Sequence, residues 1–89
     1  KVFRDLSILI PEDVTMLEIK NSIDQVKSKL LKNTTLFDIY RDKKNIGKKA
    51  YGLRFEFLHS KRTLKDQEVD SVMNSIQSKL EDKFNAALR

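Results

Sequence analysis

Two side chains in residues 36–40, LFDIY, are suited to recognising a flat polar ring. The stretch alternates as a β-strand does, which predicts Phe37 and Ile39 on one face and Leu36, Asp38 and Tyr40 on the other. An exposed tyrosine offers a stacking surface worth roughly 1–3 kcal/mol per base, and a carboxylate accepts hydrogen bonds through two oxygens. Guanine presents two adjacent donors, N1–H and the N2 amino group, whereas the edge of uracil is rich in acceptors. Asp38 and Tyr40 therefore form a candidate site for an unstacked guanine.

A structural interpretation of the same residues remains open. Asp38 can pair with Arg54 across a strand hairpin, and Tyr40 can simply cover Gly52. The residue types alone favour neither interpretation.

A basic segment follows this strand directly. Over residues 41–49, five basic side chains against Asp42 give a net charge of +4, so most of the chain's net charge of +5 lies here: Arg41, Lys43, Lys44, Lys48 and Lys49. Such a cluster attracts polyanions. It is equally typical of a solvated turn.

The composition narrows the class of protein. With 89 residues, 39% apolar and 35% charged, we expect a single domain over residues 1–89, and the start at Lys1 predicts a fragment of a longer chain. The lack of cysteine excludes disulfides and thiolate sites and suits a reducing cytoplasm. No segment approaches the ~20 apolar residues of a membrane span. We therefore expect a cytoplasmic protein without a membrane partner.

Catalytic chemistry finds no support in the residue pattern. The single histidine, His59, has no partner at the spacing of a nucleophilic site, and no Gly-rich phosphate loop occurs. We expect neither catalytic nor metal-binding residues in this chain.

Hydrophobic periodicity predicts six elements. Strands are expected at residues 3–11, 36–40 and 50–58, with AALR as a short final strand and Gly47 at a tight turn. Thr15 and Glu18 form a capping box before a helix of about four turns that reaches Leu30. A second helix carries apolar residues at helical spacing from Val69 to Phe84.

The order β-α-β-β-α-β folds most simply into a ferredoxin-like α+β sandwich, an antiparallel sheet with both helices on one face. The uncovered face is then a platform for a flat ligand. An RNA-recognition motif shares this order but is disfavoured, because Tyr51 would share the core face with Phe55 and Phe57.

Four segments together resemble one family. FRDLS at 3–7, LFDIY at 36–40, GKKAYGLRFEF at 47–57 and KRTLKDQEV at 61–69 are similar to the ferredoxin-fold anticodon-binding domain at the C-terminal end of bacterial phenylalanyl-tRNA synthetase β subunits. The resemblance covers essentially the whole chain. It implies recognition of the tRNA-Phe anticodon, whose first base is guanine.

The resemblance also implies site residues. Asp38 and Tyr40 would face the first anticodon base, with Ser7 on the same surface, and Ala50 stands where relatives can carry a serine that hydrogen-bonds the base. Lys65 replaces a hydroxyl residue ahead of the second helix, a change that concerns capping. The predicted RNA contacts are Ser7, Asp38, Tyr40, Arg41, Lys48, Lys49, Ala50 and Arg54.

The remaining expectations concern the whole enzyme. By resemblance, ATP and magnesium serve other parts of an α₂β₂ phenylalanine–tRNA ligase, this domain holds no cofactor, and the partners are the tRNA-Phe anticodon loop and the synthetase α subunit. The alternative is a ferredoxin-like protein-interaction module, whose binding would resist salt where RNA binding would weaken.

Overall fold

A computed structural model of the chain describes residues 1–59 and 61–88. Within them the elements are β1 (Val2–Pro11), α1 (Met16–Asp24), β2 (Leu31–Tyr40), β3 (Lys48–Phe57), α2 (Asp66–Phe84) and β4 (Ala87–Leu88). The sheet order is β2-β3-β1-β4, and every pairing is antiparallel. The predicted ferredoxin-like sandwich is confirmed. Of the predicted final strand AALR, Arg89 lies outside the described residues.

The core lies between the sheet and the two helices. On β1 and β3, alternate residues face it, and Ile10, Leu53, Phe55 and Phe57 are fully buried. Tyr51 is 5% exposed on that same face, which confirms the argument against an RNA-recognition motif. The helices contribute the buried residues Ile19, Ile23, Val69, Ile76, Leu80 and Phe84.

Helix α1 begins as predicted and ends earlier. The Thr15 hydroxyl accepts from the Glu18 N–H at 3.2 Å, and a Glu18 carboxylate oxygen accepts from the Thr15 N–H at 3.3 Å, so the capping box is confirmed. The helix has nine residues, about two and a half turns, so the predicted four turns are wrong. The helix ends at Asp24, and Lys27 in the turn that follows adopts a left-handed φ of 57°. Leu30 still packs against the core, from the connection to β2.

Helix α2 starts without a side-chain cap from Lys65. Instead, a Glu68 carboxylate oxygen accepts from the Lys65 N–H at 2.9 Å, and Arg62 donates to both Glu68 oxygens at 2.6 and 2.7 Å. The hydrogen bonds from Arg62, then that from the Lys65 backbone, lower the pKa of Glu68 to about 2. Glu68, at the third helical position, thus supplies the half of a capping box that binds the Lys65 N–H.

Strand β2, the first strand of the β2–β3 hairpin, is longer than predicted. Strand β2 begins at Leu31, which pairs with Phe57, rather than at Leu36. Gly47 occupies a left-handed φ of 82° in the connection, as predicted, and its carbonyl accepts from the Glu12 N–H at 2.9 Å. Residues 31–35, LKNTT, mix polar and apolar side chains, and their pairing with β3 makes them part of the strand.

Candidate nucleic-acid interface

The face of the sheet opposite the core, here called the open face, carries Asp38 and Tyr40 as predicted. Asp38 pairs in register with Gly52, and Tyr40 with Ala50. On the other side of β3, Ser7 pairs with the same Gly52. Asp38, Gly52 and Ser7 thus form one row across three strands, and Tyr40 begins the next row. Tyr40 is 45% exposed.

A β-bulge between Leu36 and Asp38 changes the faces of their neighbours. Leu36 pairs with Leu53 on the core side, and the extra residue, Phe37, joins Asp38 over Gly52 on the open face. The strict alternation that predicted Phe37 toward the core and Leu36 away from it is wrong. Phe37 is the site residue that sequence reasoning missed. The signal was present, because apolar Leu36 and Ile39 are three residues apart rather than two.

The Phe37 ring packs directly against Gly52. A Cβ built at Gly52 lies 3.0 and 3.1 Å from two ring carbons of Phe37 and 3.1 Å from the Cβ of Asp38. A side chain at position 52 would therefore displace the ring or spread the two strands. Phe37 remains 52% exposed although it packs against Gly52.

Arg54 is committed to Asp5 rather than to Asp38. Its Nε and Nη2 donate to the two carboxylate oxygens of Asp5 at 2.8 and 2.9 Å, and the guanidinium carbon is 5.1 Å from the centroid of Phe37. The hydrogen bonds lower the pKa of Asp5 and raise that of Arg54. The Asp38–Arg54 pair considered from the sequence is therefore wrong. Within residues 1–59 and 61–88, the Asp38 carboxylate has no hydrogen-bond or ion-pair partner.

Two of the predicted cationic contacts lie elsewhere. Lys49 pairs with Ile10 on the core side, is 8% exposed and places its Nζ 4.8 Å from the centroid of Tyr51. Adjacent strand residues must point to opposite faces, so Lys48 and Lys49 cannot both serve the open face. Arg41 is engaged by Glu12, whose carboxylate oxygen accepts from it at 2.8 Å. That hydrogen bond, reinforced by the charge of Lys49, lowers the pKa of Glu12.

The sequence profile of the family described as "Ferredoxin-fold anticodon binding domain" matches residues 1–89. The chain belongs to this family. It is 39% identical over 89 residues to the phenylalanine–tRNA ligase beta subunit of Bacteroides thetaiotaomicron, covering 99% of this chain and 11% of that protein. The beta subunit of Porphyromonas gingivalis is 36% identical (100% and 11% covered), and a chloroplastic one of Pyropia yezoensis is 37% identical (99% and 12%).

The chain thus spans 11–12% of the length of these relatives. A solved structure of a formyltetrahydrofolate deformylase from Pseudomonas putida KT2440 is 13% identical, with a TM-score of 0.49, over 99% of this chain and 28% of that one. A likeness at that level is too weak to inform function.

In this member of the anticodon-binding family, six of the eight predicted residues share the open face: Ser7, Asp38, Tyr40, Lys48, Ala50 and Arg54. Ala50 is 3% exposed, and its methyl group can make no polar contact with a ligand. In the part of the chain that the structure describes, no three acidic, His or Cys side chains converge as metal ligands. Neither described helix is long and apolar enough to cross a membrane.

Proposed function

We propose that this chain is one domain of a longer protein, the beta subunit of a cytoplasmic phenylalanine–tRNA ligase, and that it binds the anticodon loop of tRNA-Phe on its open face. The family and the names of the relatives support this proposal. Amino-acid activation with ATP and magnesium, and pairing with an α subunit, belong in the same proposal to the rest of the enzyme. The role of the chain is recognition.

Asp38 reads the first anticodon base. The observation that carries this assignment is an exposed carboxylate without a protein partner among the described residues, two positions from the exposed ring of Tyr40 on the same strand face. Its two oxygens match the N1–H and N2 amino donors of guanine, while Tyr40 supplies the stacking surface. Uracil would direct acceptors at the carboxylate and is rejected.

Phosphate contacts come from the exposed lysines of the hairpin. Arg41 and Arg54 have carboxylate partners in Glu12 and Asp5, so neither offers a full uncompensated charge. Lys48 occupies a position of β3 whose side chain is on the open face. Lys48, Lys43 and Lys44 are all exposed. These ammonium groups position the RNA without reading its sequence.

The decisive experiment replaces Asp38 by Asn. The substitution turns one acceptor oxygen into a donor amide, and we expect binding of a guanine-first anticodon stem–loop to weaken by about 1.5–3 kcal/mol. An adenine-first loop, whose edge presents an acceptor beside a donor, should lose little affinity. Titrations of both loops with the wild-type and variant chains measure the difference.

Asp13→Asn is the matched control, because it makes the same change of charge at an exposed position outside the open face. It should weaken neither loop. Equal losses for both loops on Asp38→Asn would show that Asp38 does not read the base.

A protein partner is the second candidate, favoured by the half-exposed rings of Phe3 and Phe37 on the open face. Salt separates the two functions. RNA affinity should fall log-linearly with salt concentration, with a slope of about 0.7 per neutralised phosphate of a single strand. Lys48→Gln should flatten that slope equally for all loops, whereas an apolar protein interface would be insensitive to it.

A further inference from the structure

A cavity opens on the open face beyond the Asp38 row. It has a volume of about 240 Å³ and is lined by Phe3, Asp5 and Arg54. In the sheet register, Arg54 and Asp5 form the row next to Gly52 and Ser7, and Phe3 lies one row further along β1. The cavity therefore continues the surface on which Asp38 and Tyr40 stand.

The Arg54 wall of this cavity is held by two neighbouring side chains. Asp5 holds the Arg54 guanidinium through two hydrogen bonds, at 2.8 and 2.9 Å, and the Phe37 ring supports it at 5.1 Å. A guanidinium held in this way presents a flat cationic surface, and such planes stack on nucleobases. On the other wall, the Phe3 ring is 50% exposed.

We propose that this cavity is a second base-binding subsite, which takes the nucleotide next to the one read by Asp38. The assignment rests on the proposed function. The base stacks against the Phe3 ring and the Arg54 guanidinium. Every base has a flat face, so this subsite binds by stacking and does not read base edges.

The spacing and polarity of the cavity favour a nucleobase over a protein side chain. Arg54 follows Gly52 by two strand residues, about 6.8 Å, which is about twice the 3.4 Å rise between stacked bases. That separation suits neighbouring bases that have come unstacked. An aliphatic side chain would cover Phe3 but leave the Asp5–Arg54 pair desolvated against an apolar group, at a cost in free energy.

The test compares Phe3→Ala and Phe3→Leu with Leu17→Ala, which removes an exposed apolar side chain on α1. The probes are the tRNA-Phe anticodon stem–loop and two loops that keep the first anticodon guanine but carry an abasic nucleotide on one side of it or the other. Phe3→Ala should weaken binding of the intact loop roughly 5- to 150-fold, the stacking range. Phe3→Leu should also weaken it, because leucine keeps apolar volume but has no ring. Leu17→Ala should have no effect.

The loss on Phe3→Ala should disappear with one of the two abasic loops. An unchanged affinity on Phe3→Ala, or an equal loss for all three loops, would overturn the subsite. Retained affinity on Phe3→Leu would indicate a merely apolar contact and overturn base stacking.

The Asp38→Asn titrations separate this result from the proposed function. If Asp38→Asn weakens only the guanine-first loop while Phe3→Ala changes nothing, only the second subsite is refuted. If the wild-type chain binds none of the loops, both proposals fail.

Discussion

Gly52→Ala probes the feature that most distinguishes the site from its prediction, the Phe37 ring on Gly52. The added methyl group would lie 3.0 and 3.1 Å from two carbons of the ring and 3.1 Å from the Asp38 Cβ. Favourable carbon–carbon contacts are about 3.5–4.0 Å. The ring can swing outward because it is half exposed, but the Asp38 Cβ is fixed to its strand.

The expected magnitude is a difference of two terms. Overpacking costs about 1–3 kcal/mol, and replacing glycine by alanine returns about 0.4–1 kcal/mol by restricting the unfolded chain. The Gly52 backbone lies outside the positive-φ region, so conformational strain adds nothing. We expect a net destabilisation of about 1 kcal/mol, or roughly 4–8 °C in Tm.

Urea unfolding of a double-mutant cycle tests the cause. In a Phe37→Ala background, two of the three close contacts are gone, so Gly52→Ala should cost at least about 0.5 kcal/mol less than in wild type. A neutral or stabilising Gly52→Ala in wild type, or additive effects in the cycle, would refute the view that position 52 is glycine to seat this ring.

The remaining predictions concern the face assignment and pH. Phe55→Ala should destabilise the fold by about 3–5 kcal/mol as a fully buried aromatic, whereas Tyr40→Ala should change stability little and weaken RNA binding. The reverse order in urea unfolding would invert the assigned faces. The pKa of Glu68 falls from 4.5 to about 2 on folding, through Arg62 and the Lys65 backbone. The stability it supplies is present above pH 4.5 and is lost as pH falls toward 2, so Glu68→Gln should flatten acid unfolding in that window; an unchanged curve would contradict the linkage.

Local pattern was sufficient where burial follows the period of the chain. Alternation in β3 identified the core face, because this strand buries one side against the helices. The capping box of Thr15 and Glu18 and the turn at Gly47 were also readable, since each depends on residues within a few positions. The end of α1 was not, because apolar spacing continued through residues that pack on the core without being helical.

Some residues of the candidate site were also placed correctly from the sequence, and others were not. Asp38 and Tyr40 were predicted on one face because they are two residues apart with the bulge outside that interval. Lys48 and Lys49 were grouped as charges, although strand parity sends Lys49 to the core side. Residue type suggested the candidate RNA contacts, and strand parity decided which of them lie on the open face.

The sequence by itself determined the fold class, the core of β3 and α2, and the carboxylate and ring that face the open side. Only the tertiary structure decided that Phe37 rests on Gly52 and that Arg54 binds Asp5. Both arrangements join residues on different strands. The first depends on a bulge in β2 that places an extra residue opposite Gly52, and the second depends on the register between β1 and β3. A choice of partner between strands is made by sheet pairing, which no single strand encodes.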